Sequence, residues 1–105
     1  MSSVSMEDII MNLVVYGGDA RAKAMQAITE AKAGNYEQAD AYLEEAREEI
    51  NKAHVFQTEL IQKEAGGEKT DISLVLIHGQ DHLMTAGVVI DLATQMVEMY
   101  KQFSK

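Results

Sequence analysis

His78 and His82 stand four residues apart, with Asp81 between them and Thr85 following, in the run LVLIHGQDHLMT from Leu74 to Thr85. In an α-helix these positions, i, i+3, i+4 and i+7, share roughly one face. Their neighbours are nearly all apolar, and a polar side chain in such company costs free energy unless it finds a partner. A string of this kind marks either a satisfied structural network or a site of chemistry. Two chemistries suit it. Histidines spaced i, i+4 can both reach one transition-metal ion, and a carboxylate can join them. One helix supplies too few ligands, so the metal reading requires His54 or a second subunit. The other chemistry is nucleophilic. A neutral imidazole is a good phosphoryl acceptor when one ring nitrogen faces the incoming group and the other is held. In-line transfer then asks mainly for positioning and for hydrogen-bond donors to the oxygens, which Gln80, His82 and Thr85 can supply. No Gly-rich phosphate loop followed by Lys and Ser or Thr is present, so ATP bound by this chain is not the expected donor. Residue chemistry alone leaves network, metal site and phosphoryl acceptor open.

Three helical patterns must position these groups, over about residues 6–33, 36–65 and 71–103. In the first, Met6, Ile10, Leu13, Gly17, Ala20, Ala24, Ala27 and Ala31 recur in alternating steps of four and three, a heptad seam. Gly34 reads as the residue just past the helix end, and Asn35 with Gln38 as a capping box opening the second helix. The second seam runs Tyr36, Ala39, Leu43, Ala46, Ile50, Ala53, Gln57, Leu60, with acidic residues over the remaining faces. Its lone His54 is expected at the helix surface or in a bundle contact. Gly66 and Gly67 close it, and the following GGEKT stretch reads as the most mobile loop.

Thr70 or Asp71 caps the third helix in this reading. Its first half is apolar nearly all round, a pattern that belongs to a helix buried on every side. The expected architecture is an all-α, antiparallel up-down-up three-helix bundle of one domain, residues 1–105. A lone bundle leaves one face of each helix wet. Self-association through the third helix is therefore expected, with Gly79, Ala86, Gly87 and Ala93 allowing close approach, most naturally as a symmetric ring.

Composition narrows the function classes. The chain has 105 residues, 47% apolar and 25% charged, with no Pro and no Cys, so helix is favoured and thiol chemistry and disulfides are excluded. A net charge of −8 argues against nucleic acid and against anionic membrane surfaces. The acidity reads as a solvated helix face rather than a docking surface for a basic partner. No apolar run approaches the ~20 residues that span a bilayer, and Met1 to Asp8 is unlike a secretory leader, so a cytoplasmic location is expected.

The octet His78-Gly79-Gln80-Asp81-His82-Leu83-Met84-Thr85 resembles the signature of the lactose/cellobiose (chitobiose)-type IIA component of the bacterial sugar phosphotransferase system. Gly18-Asp19-Ala20-Arg21, Ala53-His54 with Gln57-Thr58, and the GNYEQAD turn also resemble that family, so the similarity spans essentially the whole chain. The resemblance implies a homotrimer of three-helix subunits. It implies that His78 takes a phosphoryl group from the histidine-containing phosphocarrier protein (HPr). The group then passes to a cysteine of the cognate IIB component, for uptake and phosphorylation of a β-linked disaccharide by the membrane component IIC. It implies further that three copies of Asp81 bind a divalent metal, magnesium, near the trimer axis. Three converging carboxylates in an apolar setting would repel strongly without a cation between them. Gln80 and His82 are expected to line the site. Arg21 is expected either near the phosphoryl group or in a helix–helix contact. Gly79 stands where many members carry Ala. The sugar is chosen by the membrane component and is not legible here. A non-catalytic trimeric bundle with a structural metal is the competing reading. A two-component histidine phosphotransfer domain fits less well, being usually four-helical without a second His four residues on.

Overall fold

A computed structural model describes residues 5–104. It contains α1 (Met6–Lys32), α2 (Tyr36–Ala65) and α3 (Leu74–Phe103), joined by two short connections into an up-down-up bundle of 56 × 25 × 19 Å. No strand occurs among the described residues. The three-helix expectation holds, and among the described residues no helix is long and apolar enough to cross a membrane.

The periodic seams become the core. Leu13, Ala20, Ala24 and Ala27 of α1 meet Ala39, Leu43, Ala46 and Ala53 of α2 and Leu83, Ala86, Ile90, Ala93 and Val97 of α3 in one cluster. α1 packs extensively on both other helices, whereas α2 and α3 touch less. At the start of α1 the seam shifts: Ile9 is fully buried, while Met6 and Ile10 are only partly so. The reason is the mismatch between a strict 3.5-residue repeat and the 3.6-residue turn, which accumulates along a helix.

The helix ends differ from expectation in two places. Ser73, not Thr70 or Asp71, caps α3, its hydroxyl accepting the Leu76 N–H at 3.1 Å. Three good caps precede one apolar run, and the nearest one captures the helix start, leaving Leu76 as the first buried residue. The Asn35–Gln38 capping box does not form. Asn35 turns back instead and donates from Nδ2 to Glu30 Oε1 at 2.9 Å. Gly34 does take the left-handed conformation, φ +87°, that stops α1.

Polar contacts clasp the end of the bundle remote from His78. Lys101 reaches Asp40 at 2.8 Å, Tyr36 donates to the Tyr100 carbonyl at 3.1 Å, and Arg47 donates to Thr94 Oγ1 at 3.1 Å. Nearer the middle, Lys23 bridges Asp19 and Glu45, the Asp19 hydrogen bond holding its ammonium above the ordinary lysine range. Such exposed pairs fix alignment more than stability.

The third helix is not buried all round within one chain. Leu74, Val75, Ile77, Met84, Val88 and Leu92 are each 47–82% exposed. Nor are its small residues reserved for another copy. Gly79, Ala86 and Ala93 are buried inside the bundle, Gly79 so close to Leu13 that an added Cβ would lie 3.2 Å from Leu13 Cβ. Gly79 thus serves the α1–α3 contact, while Gly87, half-buried, lies beside Ile50 of α2. The apolar strip that remains outward is the one beginning Leu74, Ile77, Met84, Val88.

Candidate active site

Ser73 starts α3 one turn before His78, so the first full turns of a well-capped helix carry every residue of the octet. His78 is exposed and His82 half-buried. Their rings meet edge to face, centroids 4.4 Å apart and planes at 79°, with Nε2 to Nε2 at 3.0 Å. One nitrogen must carry the proton and the other accept it. The exposed His78 thus has a second imidazole directed at its Nε2. Shallow open grooves flank it: one lined by Leu74, Ile77 and Asp81, the other by Glu7, Ile10, Met11 and Val14 of α1.

The other expected site residues divide. Thr85 Oγ1 donates to the Asp81 carbonyl at 2.7 Å, so its proton is committed to the helix backbone rather than offered to a ligand. Gln80 is not brought to His78 within one chain. Two residues along a helix is about 200° around its axis, and Gln80 faces α2, where its Oε1 accepts from Gln57 Nε2 at 2.9 Å. His54 is exposed on the outer face of α2 beside Asn51, Val55 and Thr58. Arg21 is exposed on α1 with no ion-pair partner among the described residues.

Asp81 is exposed on the apolar strip and likewise has no ion-pair partner among the described residues. No group of three His, Asp or Glu side chains among them could hold a metal, so a single chain assembles no His–His–Asp site. The donor offered is one hard carboxylate oxygen pair, which suits magnesium or calcium rather than a soft metal, provided that further oxygens arrive from elsewhere.

Gln57 is the residue whose contribution carried no assigned role in the sequence. The signal was available, since it is the one amide on an otherwise apolar α2 seam. It bonds Gln80 and lies 3.6 Å from Met84 Sδ, tying α2 to α3 at the site.

Residues 8–101 match the model of the family described as "PTS system, Lactose/Cellobiose specific IIA subunit". The chain belongs to that family. It is a IIA component of the phosphotransferase system, of the cellobiose, lactose and chitobiose type. It is 49% identical over 100 residues to the lichenan-specific phosphotransferase enzyme IIA component of Bacillus subtilis, covering 95% of this chain and 91% of that one. A crystal structure of the cellobiose-specific enzyme IIA from Bacillus anthracis superposes with TM-score 0.90 at 49% identity, over 97% of this chain and 92% of that one. The chitobiose IIA of Escherichia coli in its complex with HPr matches with TM-score 0.82 at 37% identity, over 96% of this chain and 98% of that one. IIA components of this family are helical bundles that take part in phosphoryl transfer, and the three-helix fold and the phosphotransferase-system role expected from the resemblance hold for this chain.

Proposed function

We propose that His78 is the phosphoryl-carrying residue of this IIA component, accepting at Nε2 from HPr and donating to a cysteine of its IIB partner. One observation carries the reading: His78 is exposed, and its Nε2 has a second imidazole nitrogen 3.0 Å away. With the proton on His82 Nε2, the His78 Nε2 lone pair is the nucleophile and its own proton resides on Nδ1. Attack on phosphorus forms the His78 N–P bond as the N–P bond to the donor histidine breaks. The His82 N–H is then released to a phosphoryl oxygen, where it offsets charge in the transfer state. In the second half, the IIB thiolate attacks phosphorus, an S–P bond forms, and the His78 N–P bond breaks. The proton on Nδ1 stays in place throughout. The structural likeness to a chitobiose IIA bound to HPr supports HPr as the donor.

The active particle in this reading is a homotrimer closed through the outward strip of α3, Leu74, Ile77, Asp81, Met84 and Val88. Two observations support it: the strip is apolar and exposed, and Asp81 within it has no ion-pair partner among the described residues. A three-fold axis beside that strip makes the three α3 helices parallel and sets opposite flanks of neighbouring helices against each other. His78 lies on one flank and Gln80 on the other, so Gln80 of the partner subunit approaches His78 and completes the site-lining role expected of it. Asp81 from three copies would hold a divalent cation, magnesium by donor type. Its contribution is to cancel carboxylate repulsion rather than to take part in transfer. The substrate of the whole system is a β-linked disaccharide such as cellobiose, lactose or chitobiose.

The test is phosphorylation by HPr and its phosphoenolpyruvate-driven kinase. Wild-type chain should gain one acid-labile phosphoryl group, and His78→Ala should gain none. Uptake by His78→Ala at the wild-type level would sink the assignment. Stoichiometric transition metal without phosphorylation would favour the structural-metal bundle instead.

A further inference from the structure

We infer that Gly17 and Gly18 of α1 are positioning residues for His82, together forming the seat that aims its Nε2 at His78. The inference rests on the reading that His78 carries the phosphoryl group, and it gives a role to a glycine pair that the transfer chemistry leaves unused. Glycine is unfavourable in mid-helix, and here two occur consecutively in the interior of α1. Both face His82. A Cβ on Gly17 would lie 3.0 Å from the His82 carbonyl carbon and from Leu83 N, and 3.1 Å from His82 O. Those are backbone atoms, which cannot swing aside as a side chain can. A Cβ at this residue would require the α1 and α3 backbones to move apart by a few tenths of an ångström. One position on, a Cβ on Gly18 would lie 3.5 Å from His82 Nδ1 and 3.8 Å from Cε1. The imidazole therefore lies with its Nδ1 edge against the bare Cα of Gly18 and its Nε2 edge toward His78 at 3.0 Å.

The consequence is a graded steric rule. A methyl at position 18 meets the ring at ordinary van der Waals distance and leaves it in place. A branched side chain occupies the seat and turns the ring, and with it the N–H that serves the His78 site. Position 17 acts on the backbone instead, displacing α3 at residue 82.

The experiment uses the full chain carrying Gly18→Ala, Gly18→Val or Gly17→Ala, each also in a His82→Gln background. Ring-nitrogen NMR shifts report the hydrogen bond between the two imidazoles without any phosphoryl donor. The rate of phosphoryl acceptance from phosphorylated HPr reports function. Gly18→Ala should keep the wild-type ring signature and rate. Gly18→Val should lose the signature and slow acceptance about 10- to 100-fold, the range expected when a catalytic donor is misplaced. In the His82→Gln background the valine should add no further slowing, as required of a group that acts through His82. Unchanged ring nitrogens in Gly18→Val, or a slowing that persists fully without His82, would overturn the inference. Should Gly18→Val lose its helical circular dichroism, Gly17→Ala decides by the same two readouts: an altered His82 signature supports the seat and an unaltered one refutes it. A wild-type chain that takes no phosphoryl group defeats the His78 reading, while the ring shifts still decide for or against the glycines.

Discussion

His82 Nε2 lies 3.0 Å from His78 Nε2, with the two rings nearly perpendicular at 79°. A nitrogen pair at that distance shares one proton, and in the proposed transfer one imidazole is the nucleophile and the other its donor. His82→Gln should therefore leave the bundle folded and still phosphorylated on His78, but slow acceptance on the order of 10- to 100-fold, as the loss of one charge-assisted hydrogen bond of about 1.5–3 kcal/mol implies. Stopped-flow or quench measurements with phosphorylated HPr give the rate directly. A His82→Gln chain as fast as wild type would remove His82 from the transfer state.

Val88 is 59% exposed in the single chain and sits on the outward strip of α3. Val88→Arg should leave helical content intact while shifting the particle from trimer to monomer, because three guanidinium groups would meet at one apolar axis. Light scattering separates the outcomes. Wild-type chain that runs as a monomer at micromolar concentration would contradict the covered strip.

Asp81 offers a carboxylate to that same strip and has no ion-pair partner among the described residues. Chelation of divalent metal should lower the thermal midpoint of the wild-type particle, since three carboxylates then face one another uncompensated. Asp81→Asn should abolish that sensitivity and leave the trimer assembled. An EDTA-insensitive wild type would argue against the axial cation.

The Ser73 hydroxyl oxygen accepts the Leu76 N–H and caps α3 about one turn from His78. Ser73→Ala should cost about 1 kcal/mol of stability. The loss should concentrate at the site end, visible as faster amide exchange at residues 74–78 with residues 90–100 unaffected.

Gln57 holds Gln80 at 2.9 Å across the α2–α3 contact. Gln57→Leu should cost about 0.5–1.5 kcal/mol of stability and free the Gln80 amide. If Gln80 of the partner subunit serves His78, this variant should also lower the phosphoryl acceptance rate, with Gln80→Leu giving the same loss and the double variant no more.

Helix number, helix order and most of the core were legible in the amino-acid sequence, because helical periodicity is written locally; the start of α1, where Ile9 rather than Met6 and Ile10 is fully buried, is the exception. The octet likewise carried its own meaning: i, i+4 spacing alone puts His78 and His82 on one face. What lay beyond the sequence were choices among equivalent local options and contacts between distant segments. Thr70, Asp71 and Ser73 are all competent caps, and the first buried turn of α3 selected the last of them. Gly79, Ala86 and Ala93 suited a contact with any close neighbour, and only packing assigned them to the interior of their own bundle rather than to another copy. Gln80 reads as a site residue from its place in the octet, yet helix geometry turns it toward Gln57, some 23 residues away. The seat that Gly17 and Gly18 make for His82 joins residues more than 60 positions apart, and no local rule reaches that far. Periodicity determines which face of each helix is buried. Tertiary packing alone decides which backbone lies against it, and hence where the imidazole points.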